Sequence, residues 1–318
     1  MLTHIAVDIG GTKLRAASYP YDTTEPTKVT RVQTQHADRT LLERVVEIIT
    51  SVWPENEQVA GIAIAAPGPL NPFEGVILSA PNIPEWVNFP LRQIIQDHFQ
   101  VPVLVGNDAN LAALGEWKFG AGQGHHHLIY LTVSTGIGSG IIIDDKLLLG
   151  EIGIAAELGH VTVLRDGPQC SCGKFGHLEA IASGTAIAKW VEKEIAQGAS
   201  SVLSINTQIT ARKIAEAANA GDSLSIKALM RAGTFLGQAI ADYVHIFNPT
   251  IVIIGGGVSR SGNLLFIPIE QALQNAIFDP HYLDNLKIVP AALGDDAGLL
   301  GALALIRSDR SSIISKLE

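Results

Sequence analysis

The sequence is poor in cysteine and in charge. Only two of its 318 residues are cysteine, Cys170 and Cys172, and the single residue between them makes too short a loop for an ordinary structural disulfide. We therefore expect reduced thiols that are candidates for metal binding. Charged residues make up 17% of the chain and the formal net charge is -9. No overall basic field exists to neutralise a nucleic-acid backbone or an anionic membrane surface, so an anionic substrate needs a local site.

Long apolar runs are lacking as well. None approaches the roughly 18 residues of a membrane span, and the N-terminus lacks the charged-then-apolar pattern of a signal peptide. The 47% of hydrophobic residues are enough for about two buried cores at roughly 150 residues per domain. Strand and helix patterns alternate along the chain, which indicates an α/β fold. We expect a cytoplasmic protein with no membrane and no nucleic-acid partner.

A glycine turn between two strands is the first chemical feature. The strand pattern of residues 4–9 runs into Gly10-Gly11-Thr12-Lys13, and residues 14–19 again have a strand pattern. Because no helical pattern follows the glycines, a Walker loop and a dinucleotide fingerprint are both excluded. The pattern predicts a β-hairpin with Asp8 at the end of the incoming strand, where backbone N–H groups can face a phosphate. A tight turn without a ligand is the alternative.

The same design recurs about 125 residues later, which indicates a duplicated architecture. A strand at 128–133 enters the turn Ser134 to Gly140, and a second strand follows at 141–143. Each half would then contribute one loop to a shared phosphate site. A third glycine turn, Gly255-Gly256-Gly257, follows the buried strand at 251–254 and suits the close approach of a flat or phosphorylated ligand.

Polar residues follow another short apolar run. Asn107 and Asp108 come after residues 101–105 and precede a predicted helix from Ala109 to about Phe119. Side chains at the carboxyl ends of parallel strands face the ligand crevice, which favours a chemical role for both residues. The alternative is that Asp108 only caps the following helix. The spacing does not distinguish the two interpretations. Earlier in the chain, the loop Pro67-Gly68-Pro69 follows the predicted strand at 59–65.

Two thiols and two imidazoles lie within eighteen residues of one another: His160, Cys170, Cys172 and His177. This is a complete Cys2His2 donor set, and Zn²⁺ takes such nitrogen and sulfur tetrahedra. Four protein ligands would make the site closed and structural. Unrelated loop residues are the alternative. The run His125-His126-His127 is interpreted as a solvated turn, because adjacent loop residues point apart.

Taken in order, these motifs resemble the ROK family, and the resemblance spans almost the whole chain. It rests on the runs Asp8 to Lys13, Asn107-Asp108, Ser134 to Gly140 and Glu157 to His160, followed by the cysteine pair. The resemblance implies the two-domain actin-like ATPase fold, a ribonuclease H-like α/β architecture shared with hexokinases, with a ligand cleft between the domains. A small domain would comprise residues 1–107 with a C-terminal helix at about 298–318. A large domain with the zinc loop would comprise residues 108–297.

The resemblance also implies a function: phosphorylation of a hexose at its 6-hydroxyl by ATP with Mg²⁺. Glucose is preferred, because Glu157, His160 and Glu179 suit a sugar with free hydroxyls at C1 and C2. Kinases of N-acetylmannosamine, of other N-acetylhexosamines, of mannose or of fructose are the enzymatic alternatives. A sugar-sensing regulator on the same fold is the other alternative. Repressors of this family carry a DNA-binding domain before the first motif, which begins here at residue 8, and we therefore expect an enzyme. We also expect a homodimer or homotetramer.

Roles carry over from the resemblance residue by residue. Asp108 would be the catalytic general base. The sugar-binding positions would be Gly68, Asn82, Asn107, Asp108, Glu157, His160 and Glu179. The positions for phosphate and nucleotide would be Asp8, Gly10, Gly11, Thr12, Lys13, Thr135, Gly136, Gly256 and Gly257, with Mg²⁺ held by Asp8 through water. The zinc ligands would be His160, Cys170, Cys172 and His177.

One position departs from the family pattern. Family kinases usually carry a third cysteine where this chain has His177. Histidine is also a zinc ligand, so we expect the exchange to keep the site while adding one unit of positive charge to the complex.

Overall fold

A computed structural model describes residues 2–35, 38–80 and 83–308. Asn82, a predicted sugar-binding residue, lies outside the described residues, as does the end of the predicted C-terminal helix. The strands are β1 Leu2–Ile9, β2 Lys13–Pro20, β3 Lys28–Gln33, β4 Gln58–Ala66, β5 Leu70–Asn71, β6 Val76–Ser79, β7 Val87–Phe89, β8 Val103–Asn107, β9 Leu128–Val133, β10 Ile137–Ile143, β11 Lys146–Leu147, β12 Ile251–Gly255 and β13 Lys287–Pro290. The α-helices are α1 Leu41–Val52, α2 Leu91–Phe99, α3 Asp108–Phe119, α4 Glu179–Ala182, α5 Gly184–Ala196, α6 Ala211–Asn219, α7 Ser223–Phe247, α8 Asn263–Ala276 and α9 Ala297–Arg307.

The chain forms two compact units. The first unit comprises Met1–Gly124, Gly140–Ala156 and Ala292–Glu318, and the second comprises His125–Ser139 and Glu157–Ala291. Strand β10 begins in the second unit and ends in the first, where it pairs with β11. The domain boundary at residues 107 and 108 that the resemblance implies stays a prediction.

The first sheet has the strand order β3-β2-β1-β4-β8. Strand β1 runs antiparallel to β2 and parallel to β4, which in turn is parallel to β8. Asp8 lies opposite Ala65, and Ala66 lies opposite Asn107. The carboxyl ends of these three parallel strands therefore meet at one edge of the sheet.

Helix α1 covers one face of this sheet. Its start is fixed by a capping box, in which the Glu43 amide donates to Thr40 Oγ1 at 3.3 Å and the Thr40 amide donates to Glu43 Oε2 at 2.8 Å. The box satisfies N–H groups that a helix start would otherwise leave unpaired. The apolar side of α1, including Val45 and Ile49, packs into the same core as Ile5 and Val7 of β1, where all four are fully buried.

The second sheet has the order β11-β10-β9-β12-β13, which repeats the arrangement of the first sheet. The duplication expected from the two glycine turns is thus confirmed in the topology. Strand β12 runs parallel to both β9 and β13, and Gly255 lies opposite Thr132. One boundary differs from the expectation, because β10 begins at Ile137 and the turn before it is only three residues long.

The long helix α7 ends where Asn248 adopts a left-handed conformation before Pro249. Helices α5 and α8 and the small sheet β5-β6-β7 are not predicted by the sequence analysis. Within the described ranges, none of the helices combines the length and the apolar character that crossing a membrane requires.

Candidate active site

Asp8 ends β1 in the first unit, where it is paired with an arginine. Arg15 faces it directly across the hairpin, and Arg15 Nη2 lies 2.7 Å from Asp8 Oδ2. Arg15 also donates to the Asp295 carbonyl and pairs with Asp296 at 3.1 Å. Burial raises the pKa of Asp8, and the charge of Arg15 opposes this effect. The main chain of α9 also packs closely against Asp8. A Cβ on Gly298, in the first turn of α9, would lie 2.7 Å from the Asp8 carboxyl carbon.

Hydrogen bonds within the protein hold the first glycine turn on one side, and its other side is exposed to solvent. The Gly10 amide donates to the Lys13 carbonyl at 3.0 Å, which closes the turn. Thr34 binds the turn at two points: its hydroxyl donates to the Gly10 carbonyl at 2.6 Å, and its amide donates to the Thr12 carbonyl at 2.9 Å. Gly11, Thr12 and Lys13 are exposed. Their main chain is therefore a rigid surface that a phosphate group can approach.

The structure shows which of the two adjacent residues, Asn107 or Asp108, caps helix α3. Asn107 Oδ1 accepts the amides of Ala109 and Asn110 at 3.0 and 3.1 Å, so Asn107 is the N-cap of α3. Asp108 is the first residue of the helix, and its Oδ1 accepts the Ala109 amide at 2.8 Å. The interpretation of Asp108 as the cap is therefore wrong. Both side chains are half-buried.

Gly68 lies beside this helix start. A Cβ on Gly68 would lie 3.0 Å from Nδ2 of Asn107. The first unit thus brings Asp8, Gly68, Asn107 and Asp108 to the carboxyl edge of three neighbouring parallel strands. This placement agrees with the expectation that strand ends carry the chemistry.

The second unit has an equivalent edge. The Ser134 amide donates to the Gly136 carbonyl at 2.9 Å, and the first residue of α5, Gly184, donates its amide to the Ser134 carbonyl at 2.7 Å. Gly256, with φ of 84°, packs on the neighbouring strand end so closely that a Cβ would lie 2.4 Å from the Val133 carbonyl oxygen. Thr135 and Gly136 therefore lie at the same sheet edge as Gly256 and Gly257.

Glu157 and His160 flank a short 3₁₀ helix, Leu158–His160. The His160 amide donates to the Glu157 carbonyl at 3.0 Å, so the two residues share one tight turn. The pKa of Glu157 is raised, chiefly because the surrounding protein removes water from its carboxyl group. The charge of Glu179 adds to the rise and His160 opposes it.

The four predicted metal donors converge in this unit. Nδ1 of His160 lies 3.3 Å from Nδ1 of His177 and 3.8 Å from Sγ of Cys170, while Sγ of Cys172 lies 3.3 Å from Nδ1 of His177. All four ligand atoms lie within 4.8 Å of one another, and both thiols are free. Zinc bonds of roughly 2.0 to 2.3 Å place tetrahedral ligand atoms roughly 3.3 to 3.8 Å apart. The three distances given above lie in this range, so the donor set suits one tetrahedral ion.

Glu179 joins this cluster to the second glycine turn. Its Oε1 accepts the Ser171 hydroxyl at 2.9 Å and lies 3.4 Å from the Cys170 thiol. Its Oε2 accepts the Ile137 amide at 2.9 Å. The carboxylate thus spans from the metal-donor loop to the first residue of β10.

Sequence analysis missed several residues that shape the site. Arg15, Thr34 and Ser171 contact predicted site residues but stand outside every motif. A signal exists for Arg15 alone: a charge in the otherwise apolar run Leu14 to Ala17 of a central strand requires a buried partner, and hairpin pairing offers Asp8. Thr34 and Ser171 carry no such signal.

The chain is similar over most of its length to known proteins. The sequence profile of the ROK family matches residues 4–309. A glucokinase of Thermotoga maritima is 38% identical over 95% of this chain and 96% of its own length. A xylose repressor of Caldicellulosiruptor bescii is 36% identical over 86% of this chain and 69% of its own length. The solved structure of a ROK family glucokinase from Streptomyces griseus, in complex with glucose and AMPPNP, has a TM-score of 0.83 and 33% identity, and the match covers 95% of this chain and 98% of that one.

The cap of α3 can be separated from other roles of Asn107 by mutation. We expect Asn107→Ala to lower the free energy of unfolding by about 1 kcal/mol, because two helix amides lose their acceptor. Asn107→Asp keeps an acceptor oxygen and should stay within a few tenths of a kcal/mol of the parent. Urea denaturation followed by circular dichroism measures both. Equal stability of the alanine and aspartate variants would contradict the capping role.

Proposed function

Because the chain belongs to the ROK family, we propose that it is a sugar kinase that transfers the terminal phosphoryl group of ATP to the 6-hydroxyl of glucose. The observation that carries this proposal is the pairing of Asn107 and Asp108 at the start of α3, on the same sheet edge as Asp8. The fold is the two-domain actin-like ATPase fold of the ROK glucokinases that it resembles. Phosphoryl transfer requires positioning, charge neutralisation and a carboxylate beside the attacking hydroxyl.

Asp108 is the general base in this proposal. As the first residue of α3 it lies at the positive end of the helix dipole, which favours the ionised carboxylate. An ionised carboxylate accepts the proton of the sugar hydroxyl while the hydroxyl oxygen attacks phosphorus. The hydrogen bond from the Ala109 amide to Oδ1 restricts rotation of the carboxylate and orients it for this step.

Asn107 and Gly68 form one part of the sugar site. Since Asn107 Oδ1 is occupied by the helix amides, its Nδ2 is the atom that donates to a sugar hydroxyl. Glu157, His160 and Glu179 supply the acceptors and the imidazole for the hydroxyls at C1 and C2. The family resemblance adds Asn82, as a proposal that rests on the sequence alone.

The phosphates of ATP interact with the two glycine turns. In the turn that Gly10 closes, Gly11 and Thr12 present main-chain N–H groups and Lys13 presents an ammonium group, while Thr135 and Gly136 present a second set. Gly256 and Gly257 leave space for the nucleoside. Asp8 would hold Mg²⁺ through water, and that ion neutralises charge on the phosphates when it is bound. The Arg15 pair keeps the Asp8 carboxylate in one orientation.

We infer that the four-donor cluster of His160, Cys170, Cys172 and His177 holds a structural Zn²⁺. The donor chemistry and spacing support this ion. Burial, assisted by the charge of His160, lowers the pKa of His177 and favours the neutral imidazole that a metal ligand must be. Nδ1 of His160 faces the cluster, so Nε2 is the atom available to the sugar. The ion would fix the loop on which His160 and Glu179 meet the substrate.

Two finer expectations belong with this proposal. The enzyme acts in the cytoplasm as a homodimer or homotetramer. A sugar-sensing regulator is less favoured, because Asp8 and Asp108 are both present.

The proposed substrate is tested with a coupled ADP-release assay over glucose, mannose, fructose, N-acetylglucosamine and N-acetylmannosamine. We expect the highest kcat/KM with glucose and MgATP. A clear preference for an N-acetylhexosamine would correct the substrate and leave the kinase assignment standing. Absence of ADP release with every sugar would overturn the kinase itself.

The variant Asp108→Asn should reduce kcat by about 10²- to 10⁴-fold, because an amide cannot accept the hydroxyl proton. Glucose binding, measured by calorimetry, should change little. Asp97→Asn, an exposed carboxylate on α2, is the matched control and should keep full activity. If Asp108→Asn turns over within a few-fold of the parent, Asp108 is not the base.

Elemental analysis of the purified protein should find about one zinc per chain. Cys172→Ser should lose zinc, melt at a lower temperature and show a higher KM for glucose, because the ion organises the sugar-binding loop. Ser171→Thr, which alters the same loop and keeps a hydroxyl, should retain the metal. A zinc-free preparation with unchanged melting and full activity would refute the structural role.

A further inference from the structure

The turn that carries Glu157 and His160 is anchored at its first helical residue, Leu158. The Leu158 amide donates to Ser139 Oγ at 3.0 Å, and the Leu158 carbonyl accepts the hydroxyl of Tyr243 at 2.7 Å. Leu158 is buried, so neither of its main-chain groups can readily exchange these partners for water. Both polar groups of this residue are therefore tied to other parts of the second unit.

The residue after Leu158 packs just as closely. A Cβ on Gly159 would lie 2.2 Å from the carbonyl oxygen of Ile137, so the turn rests directly on the start of β10. A turn packed this tightly transmits small shifts of its anchors to its side chains instead of absorbing them. Glu157 precedes Leu158 and His160 ends the same 3₁₀ helix.

Tyr243 lies on α7, far from any motif in the sequence. It is 1% exposed, and its hydroxyl donates to Leu158 across 85 positions of the chain. Burial raises the pKa of Tyr243 well above its usual range, so the phenol stays a hydrogen-bond donor throughout the working pH range. Helix α7 packs closely against α8, because a Cβ on Gly237 would lie 2.3 Å from the Ile269 carbonyl oxygen, and it is held at its start by the Asp222 cap. The donor thus projects from a rigid element.

We propose that Tyr243 is a positioning residue for sugar recognition, whose hydroxyl sets the place of the turn carrying Glu157 and His160. It does not touch substrate. It acts through Leu158, and with Ser139 it fixes the main chain from two sides. This inference rests on the proposed function, because the turn is read as part of the sugar site.

The position of the hydrogen bond predicts which kinetic constant responds. Loss of the hydroxyl leaves the buried Leu158 carbonyl with only the longer bond, 3.3 Å, from the Val161 amide of its own turn. The carbonyl is then no longer tied to α7, and the turn is free to shift. Movement displaces Glu157 and His160, which hold the sugar, whereas the phosphate turns and Asp108 keep their own hydrogen bonds. The KM for sugar should therefore rise while the KM for ATP and kcat are preserved.

Tyr243→Phe removes only the hydroxyl and keeps the packing of the ring. We expect the KM for glucose and its calorimetric Kd to rise by about five- to thirtyfold, with kcat and the KM for ATP within about twofold of the parent. Ser139→Ala removes the other anchor of Leu158 and should raise the same constants. Tyr19→Phe, which removes a hydroxyl from a buried tyrosine of β2, is the matched control and should change none of them.

Hydrogen exchange gives a readout that does not require a substrate. Amides of the segment 157–161 should exchange faster in Tyr243→Phe than in the parent, and Tyr19→Phe should leave them unchanged. A glucose KM within twofold of the parent, or an equal loss in glucose KM, ATP KM and kcat, would overturn the positioning role. If the parent phosphorylates no sugar, the proposed function fails, and unchanged exchange in this segment would then separately overturn the anchoring by Tyr243.

Discussion

The first unit depends on keeping the Asp8 carboxylate charged where water is scarce. Burial alone favours its neutral form, and the guanidinium of Arg15 opposes that tendency from the facing strand. Because Arg15 also binds Asp295 and Asp296, the same group fastens the start of α9 to the central hairpin. Removing one partner of such a pair leaves a buried charge without compensation, which costs far more than an exposed ion pair contributes. The glycine at position 298 is a consequence, since no larger residue fits beside this carboxylate.

In the second unit, the carboxylate of Glu179 holds two loops in place by hydrogen bonds. One of its oxygens faces the donor loop of Cys170 and Ser171, and the other accepts the first amide of β10. A single side chain therefore relates the metal cluster to the turn of Thr135 and Gly136. The proposed zinc and the proposed phosphate contacts are linked by hydrogen bonds, and they need not be independent of each other in their effects on activity.

Short-range signals made much of this predictable. The capping box of Thr40 and Glu43, the stop of α7 before Pro249 and the two glycine turns all depend on residues close in sequence, and the structure reproduces them. The convergence of the four metal donors was also predictable, because they lie within eighteen residues. Tyr243 and Thr34 were not, since the hydroxyl of each donates to a main-chain carbonyl far along the chain. Propensity and periodicity carry no information on such contacts. The role of Asp108 stayed open in the sequence for a different reason: Asn107 and Asp108 are adjacent residues of types that both cap helices, and only the backbone conformation decides between them.

The double use of the Asn107 amide limits how this protein can evolve. Its oxygen starts a helix and its nitrogen lies beside Gly68, in the proposed sugar site, so no other natural side chain of similar length serves both ends. Aspartate retains the oxygen and loses the donor, and serine is too short to replace both. Changes of sugar preference by directed evolution should therefore accumulate at loop positions such as those around Gly68, while position 107 resists substitution in any selection that also demands a folded protein.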